Sequence, residues 1–155
     1  MNGTRTDPFD VAVIGAGMAG MATSLFATRH GLSCVQVGNG GGILFASGLL
    51  DLLGVHPVSE RHLWDSPFDA LAALRRACPD HPLARVDDEG LRAAFDAFTA
   101  ALGEAGLPYA PLDGANHAVL TSIGTAKTTH GVPRSMAAGV EVLRSRPSCL
   151  LVDFR

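Results

Sequence analysis

Lysine is almost absent from this chain. Lys127 is the only one among 155 residues, and 12 Lys plus Arg stand against 15 Asp plus Glu, for a formal charge of −3. Without a basic cluster there is no electrostatic footprint for nucleic acid as the main partner. Cysteine is scarce too. Cys34, Cys78 and Cys149 are odd in number and isolated, with no CxxC and no histidine at metal-ligand spacing, so neither a disulfide framework nor a metal site is expected. They read as reduced thiols, buried as small apolar residues. There is no long hydrophobic run. The uncharged stretch 11–28 is mostly Gly, Ala, Ser and Thr beyond Ile14, short of the ~20 apolar residues that a membrane span needs. A cleaved leader fits no better, because Asp10 interrupts the approach and the glycines in the stretch are spaced as a turn.

What is present suits an ordinary globular domain: 47% hydrophobic residues, enough to bury a core. The segment "FDVAVIGAGMAG", from Phe9 to Gly20, is an apolar run broken by three glycines. "DVAVIG" has the continuous β-branched character of a strand buried on both faces. "MAGMATSLFATRH" suits a helix, with small residues Ala19, Ala22 and Thr23 where it approaches a sheet, and Gly31 as its stop. "LSCVQV" is a second strand and "GNGGG", 38–42, a flexible loop. Strand, helix and strand within about 30 residues is the span of a βαβ unit.

In that context G-x-G-x-x-G has a physical reading. Gly15 permits the tight turn, Gly17 lets a phosphate approach the backbone, and Gly20 allows close helix packing. The run Gly15, Ala16, Gly17, Met18, Ala19 and Gly20 is therefore the expected cofactor-binding turn, with the N–H groups at the helix start facing the anion. One usual part is missing. About 20 residues on, an Asp or Glu normally accepts from a ribose, but here the sequence is "VQVGNG". Asn39 is the candidate for that hydroxyl, and Gln36 a second if it points outward.

Further along, "SPFDALAALRRAC" opens a helix with Ser66 as N-cap, Pro67 at the first position and Asp69 in the first turn. "DDEGLRAAFDAFTAALGEAG" sets Leu91, Ala94, Phe95, Phe98 and Leu102 on one stripe, with Gly106 at the stop; these aromatics read as core packing rather than a flavin-facing box. After Gly106 come short extended pieces, "AVLTSIGTAKTTHGVP", suited to strands. Lys127, among Thr125, Thr128 and Thr129, reads as a solvated strand lysine before a phosphate ligand. "SCLLVDFR" begins a further strand. The expected fold class is α/β: a Rossmann-like FAD/NAD(P)-binding fold with an inserted helical and β-rich subdomain, apparently truncated. The expected segments are a nucleotide-binding unit at 1–54, a helical insertion at 55–106, a β-rich substrate-side segment at 107–148 and the next strand at 149–155.

"FDVAVIGAGMAGMATSLFATRHGLSCVQV", "FASGLLDLLG", "HPLARV", "LTSIGTAKTT" and "LLVDF" occur here in the order in which they run through the B-type subunits of the anaerobic glycerol-3-phosphate dehydrogenases, which the chain resembles from about Asp10 to its last residue. Chains of that family continue further, so 1–155 looks like an N-terminal fragment. The resemblance implies a flavoprotein subunit working with an A-type flavin subunit and an iron–sulfur subunit that docks the complex, otherwise cytoplasmic, at the inner membrane. It implies oxidation of sn-glycerol 3-phosphate to dihydroxyacetone phosphate, with electrons passing through quinone to fumarate or nitrate. It implies FMN, where the glycine turn suggests FAD, and places Ser47 and Gly48 near the flavin. It transfers no catalytic base: His30, His56, His62, His81, His117 and His130 read as surface or structural. The alternatives are an oxidoreductase of the fumarate reductase or succinate dehydrogenase type and a non-catalytic flavin relay or scaffold.

Overall fold

The computed structural model describes residues 8–40, 45–150 and 152. The chain divides into two compact units, Met1–Ser47 and Gly48–Arg155.

The first unit is a βαβ motif. Strand β1 (Val11–Ile14) leads through the glycine turn into helix α1 (Met18–Arg29), and β2 (Cys34–Val37) returns parallel to β1. The register pairs Val11 with Cys34 and Ile14 with Val37, so the two strands end level. Asp10 and Ser33 lock the other end. The Ser33 amide and hydroxyl donate to Asp10 Oδ2 at 2.8 and 2.7 Å, and the Asp10 amide reaches the Ser33 hydroxyl oxygen at 3.0 Å.

Two expectations fail here. β1 is not buried on both faces: Val13 is buried, but Ile14 is 94% exposed, because among the described residues the sheet of this unit has only two strands. The thiols are not all buried, since Cys78 and Cys149 are exposed and Cys34 is intermediate. Cys34 instead lies 3.6 Å from the Ser24 hydroxyl, and exposure of the other two follows from their places just past a helix end and in the coil near the C-terminus.

The second unit holds two helices, a hairpin and a third helix. Helix α2 (Pro67–Ala77) starts as its sequence requires, the Ser66 hydroxyl accepting from the Asp69 amide at 3.2 Å. Helix α3 (Asp88–Glu104) is capped by Asp87, which accepts from the Gly90 amide at 2.6 Å. Strands β3 (His117–Leu120) and β4 (Ala126–Thr129) pair antiparallel, His117 opposite Thr129. Helix α4 (Ala137–Ser145) follows, an element that the sequence pattern did not separate from the extended pieces before it.

Two apolar clusters hold this unit together. Phe68, Leu71 and Leu74 of α2 pack with Leu52, Leu53, Leu83 and Leu91, while Leu49, Val119 and Val132 pack with Met136 and Val140. Leu50 is pinned by backbone bonds both ways with Gly131, at 2.9 and 2.8 Å. The run "GLLDLL" thus serves as core of the second unit. Of the expected strand at 149–155, Leu151 and Asp153–Arg155 lie outside the described residues, as do Gly41 and Gly42 of the glycine loop, and Cys149, Leu150 and Val152 are in no strand.

Candidate functional site

The glycine turn is built by the end of the β1–β2 ladder. The Gly15 amide donates to the carbonyl of Val37, the last residue of β2, at 2.8 Å, carrying the pairing one residue past β1. Gly15 then takes φ +124°, a conformation that a side chain would strain, and the chain reverses into α1. Gly17 is the N-cap, extended at φ −81° and ψ 177°, and its carbonyl accepts the first helical bond from Met21 at 3.0 Å.

Close approach fixes the rest. A Cβ on Gly20 would run into the Gly15 carbonyl oxygen and come within 3.3 Å of Gln36 Nε2. A Cβ on Gly38 would lie 2.8 Å from the Ala16 nitrogen and 3.0 Å from the Gly15 carbonyl carbon. The turn is therefore clamped between two glycines, one on the helix and one just after β2. Gln36 supplies the tie: its Nε2 donates to the Gly15 carbonyl at 2.8 Å, and its Oε1 accepts from the Ser24 hydroxyl at 3.1 Å. The helix face that meets the sheet thus carries Gly20 and Ser24, while Thr23, expected there, is exposed and bonds back to the Ala19 carbonyl at 2.8 Å.

Gly17 is the opposite case. Among the described residues, a Cβ built on it meets nothing within 4 Å. The amides of the first turn have no preceding carbonyl to bond, no side chain caps them, and no acidic residue lies in that turn. What results is a helix start with free donors, the positive end of its dipole unneutralised, and open space in front. That cradle fits the pyrophosphate of a dinucleotide cofactor. Gly15, Ala16, Gly17, Met18, Ala19 and Gly20 are brought together in this one turn.

The other expected residues are placed differently. Asn39 follows Gly38 and is exposed beyond the end of β2. Gln36 has both ends of its amide committed to the turn and to α1 rather than to a ribose. Ser47 closes the first unit, whereas Gly48 belongs to the second, with φ +78° and its carbonyl accepting from the Tyr109 hydroxyl. Burial raises the Tyr109 phenol above the usual tyrosine value. Lys127 pairs with Asp51 at 2.7 Å on the surface of the second unit.

Sequence reasoning missed the structural roles of Gln36 and Gly38. The signal for Gly38 was its position at the end of β2, where nucleotide-binding folds usually carry an acid. Here the backbone closes onto the turn at that point, and Gly38 itself carries no side chain.

Residues 10–148 match the family described as FAD binding domain. Proteins named as the B-type subunit of anaerobic glycerol-3-phosphate dehydrogenase are similar over 123 residues, 78% of this chain: 38% identical in Vibrio cholerae serotype O1, 35% in Vibrio vulnificus and 33% in Yersinia pestis bv. Antiqua. The chain spans 28% of the length of each of these relatives. No solved structure matches. The family match favours FAD over the FMN that the resemblance implied, in keeping with a turn shaped for a pyrophosphate. Among the described residues no helix is long and apolar enough to cross a membrane, and no group of His, Cys, Asp and Glu is placed to hold a metal.

Proposed function

We propose, from the premise that this chain belongs to the FAD binding domain family with a Rossmann-like fold, that it is the cofactor-cradling part of a flavin-dependent glycerol-3-phosphate dehydrogenase subunit. The observation that carries this reading is the uncapped start of α1, open at Gly17 and clamped behind by Gly20 and Gly38. The amides of Met18, Ala19 and Gly20 donate to the pyrophosphate, and the Gly17 backbone lets it approach. Gln36 and Ser24 hold the turn so that those donors need no rearrangement when the cofactor arrives. Asn39 lies beside the ribose, at the end of β2.

A bound flavin supplies the acceptor for a hydride from the carbinol C–H of the substrate. The chain's own contribution is binding and orientation. The substrate is sn-glycerol 3-phosphate and the product dihydroxyacetone phosphate, with electrons leaving through quinone toward fumarate or nitrate. The partners are an A-type flavin subunit and an iron–sulfur subunit that holds the complex at the inner membrane. The names of the relatives support this reading. Ser47 and Gly48 lie near the flavin, and the elements of 55–106 and 107–148 form an insertion between β2 and the return of the chain to the nucleotide-binding sheet.

The test is anaerobic addition of glycerol 3-phosphate to the complex formed with the A-type partner, with the cofactor of this subunit followed by absorbance and identified by mass after denaturation. Bleaching of a bound FAD is expected. A flavin that stays oxidised while the partner's is reduced would make this subunit a scaffold, and absence of any flavin would end the reading.

A further inference from the structure

Among the hollows of the second unit, the one beside His130 is set apart by a buried polar atom that no described protein group satisfies. Its volume is about 70 Å³ and its walls are Arg92, Phe95, Asp96, Leu112, Gly114 and His130. At the ~30 Å³ that a water occupies in the liquid, it has room for roughly two waters or for one small planar group.

His130 is the fixed point. It is 3% exposed and held edge-on by Phe68 and Phe95, with ring centroids 5.8 and 5.2 Å away. Its Nδ1 lies 2.9 Å from the Ala115 carbonyl oxygen. A carbonyl only accepts, so Nδ1 carries the hydrogen, and in the neutral ring Nε2 is left with its lone pair. Among the described residues nothing donates to that nitrogen.

Arg92 is set from another direction. Its guanidinium lies 3.6 Å over the Phe68 ring, and a Cβ on Gly114 would come within 3.4 Å of its Nη1, so the missing side chain at Gly114 leaves the guanidinium its place. Among the described residues no carboxylate forms an ion pair with it. Asp96 stands one turn further along α3.

The polar wall is thus one strong donor, Arg92, and two acceptors, Asp96 and His130 Nε2; the rest, Phe95 and Leu112, is apolar. An anion satisfies Arg92 but sets its lone pairs against a carboxylate and Nε2, and an ammonium group sets its charge against the guanidinium. A single hydroxyl carries one hydrogen and leaves one acceptor unserved. A water serves all three groups, yet it fills only about half the space and offers nothing to Phe95 and Leu112. A primary carboxamide carries one carbonyl acceptor and two N–H donors on a rigid plane, which matches the polar wall one for one and leaves its flat faces to the apolar side chains. We propose that this cavity is a binding site for a primary carboxamide, its carbonyl oxygen accepting from Arg92 and its amino group donating to Asp96 and to His130 Nε2. A free small amide and the side chain of an asparagine or glutamine both bear that group, and the cavity's chemistry is the same for the two. The site lies wholly within the second unit, so it stands apart from any reading of the nucleotide turn.

The imidazole nitrogen resonances of the full chain, followed as acetamide is added, test this, with acetate, N,N-dimethylacetamide and glycerol titrated in parallel. Acetate has the shape of acetamide without its hydrogens, and N,N-dimethylacetamide keeps the carbonyl but loses both donors. Acetamide is expected to shift the His130 Nε2 signal saturably, and each of the other three to act at least tenfold more weakly. The tripeptide Gly-Gln-Gly separates the two sources: binding tighter than that of acetamide assigns the site to a protein side chain, and weaker binding assigns it to a free amide. Asp96→Ala and Arg92→Gln are each expected to weaken acetamide binding at least fivefold. Arg92→Gln loses its stacking on Phe68, so if it fails to fold, Asp96→Ala at an exposed position and the parent titration decide. No shift with acetamide, an equal response to acetate or glycerol, or unchanged acetamide affinity in Asp96→Ala overturns the proposal.

Discussion

Gln36 and Gly15 are joined by a hydrogen bond of 2.8 Å from side-chain amide to backbone carbonyl, across 21 residues of sequence. The bond fixes the carbonyl just before the helix start and so aims the amides that follow it. Ser24 holds the other end of the same amide. Replacing Gln36 by Leu keeps the bulk and removes both bonds. The expected outcome is a stability loss of about 2 kcal/mol, about 1 kcal/mol net for each of the two bonds, together with a roughly tenfold weaker flavin affinity. Thermal melting and fluorescence titration with FAD measure the two. An unchanged affinity would show that the tie is structural alone.

Gly20 and Gly38 answer differently from Gly17, because their Cβ positions are already occupied by backbone. Gly20→Ala or Gly38→Ala is expected to displace the turn itself, lowering the melting temperature and the flavin content together. A Gly38→Ala chain with parental stability and full flavin would contradict the clamp.

How much of this was legible beforehand depended on how local each cause was. The spacing of Gly15, Gly17 and Gly20 states the turn within six residues, and Ser66, Pro67 and Asp69 state a helix start within four. Both stand in the structure as the residues require. The role of Gln36 was not legible, since it depends on the register that sets Ile14 opposite Val37. Nor was the exposure of Ile14, because an apolar strand sequence does not say how many neighbours a sheet offers it. His130, in no motif that marks a catalytic histidine, read as surface or structural; the structure buries it between Phe68 and Phe95.

Asp10 carries a pH signature. Hydrogen bonds from the Ser33 hydroxyl, and next from the Ser33 amide, hold its carboxyl below the usual carboxylate range, although the side chain is exposed. A depressed folded value stabilises above the unfolded value and is lost as pH falls through the folded one. Acid titration of the Asp10 carboxyl by carbon NMR is expected to show a midpoint below that of an unstructured aspartate. Ser33→Ala should move it back toward the ordinary value and leave stability at neutral pH less dependent on Asp10. A parental midpoint in Ser33→Ala would remove Ser33 as the cause.

Asn39 tests which flavin is read at the end of β2. With FAD bound there, Asn39→Ala is expected to weaken FAD by about three- to tenfold, as for one lost hydrogen bond of roughly 1 kcal/mol, and to leave FMN nearly unchanged. Equal losses for both would show that the residue does not touch the ribose.

The claim on which the rest depends is that a flavin phosphate sits in the open space before Gly17. Among the described residues nothing lies within 4 Å of a Cβ on Gly17, so Gly17→Val adds a side chain where none of them is displaced. The decisive measurement is flavin absorbance per chain in the parent and in Gly17→Val, with circular dichroism on the same samples. The account predicts about one FAD per chain in the parent and almost none in the variant, with matching helical signals. Full flavin occupancy in a folded Gly17→Val chain would contradict it.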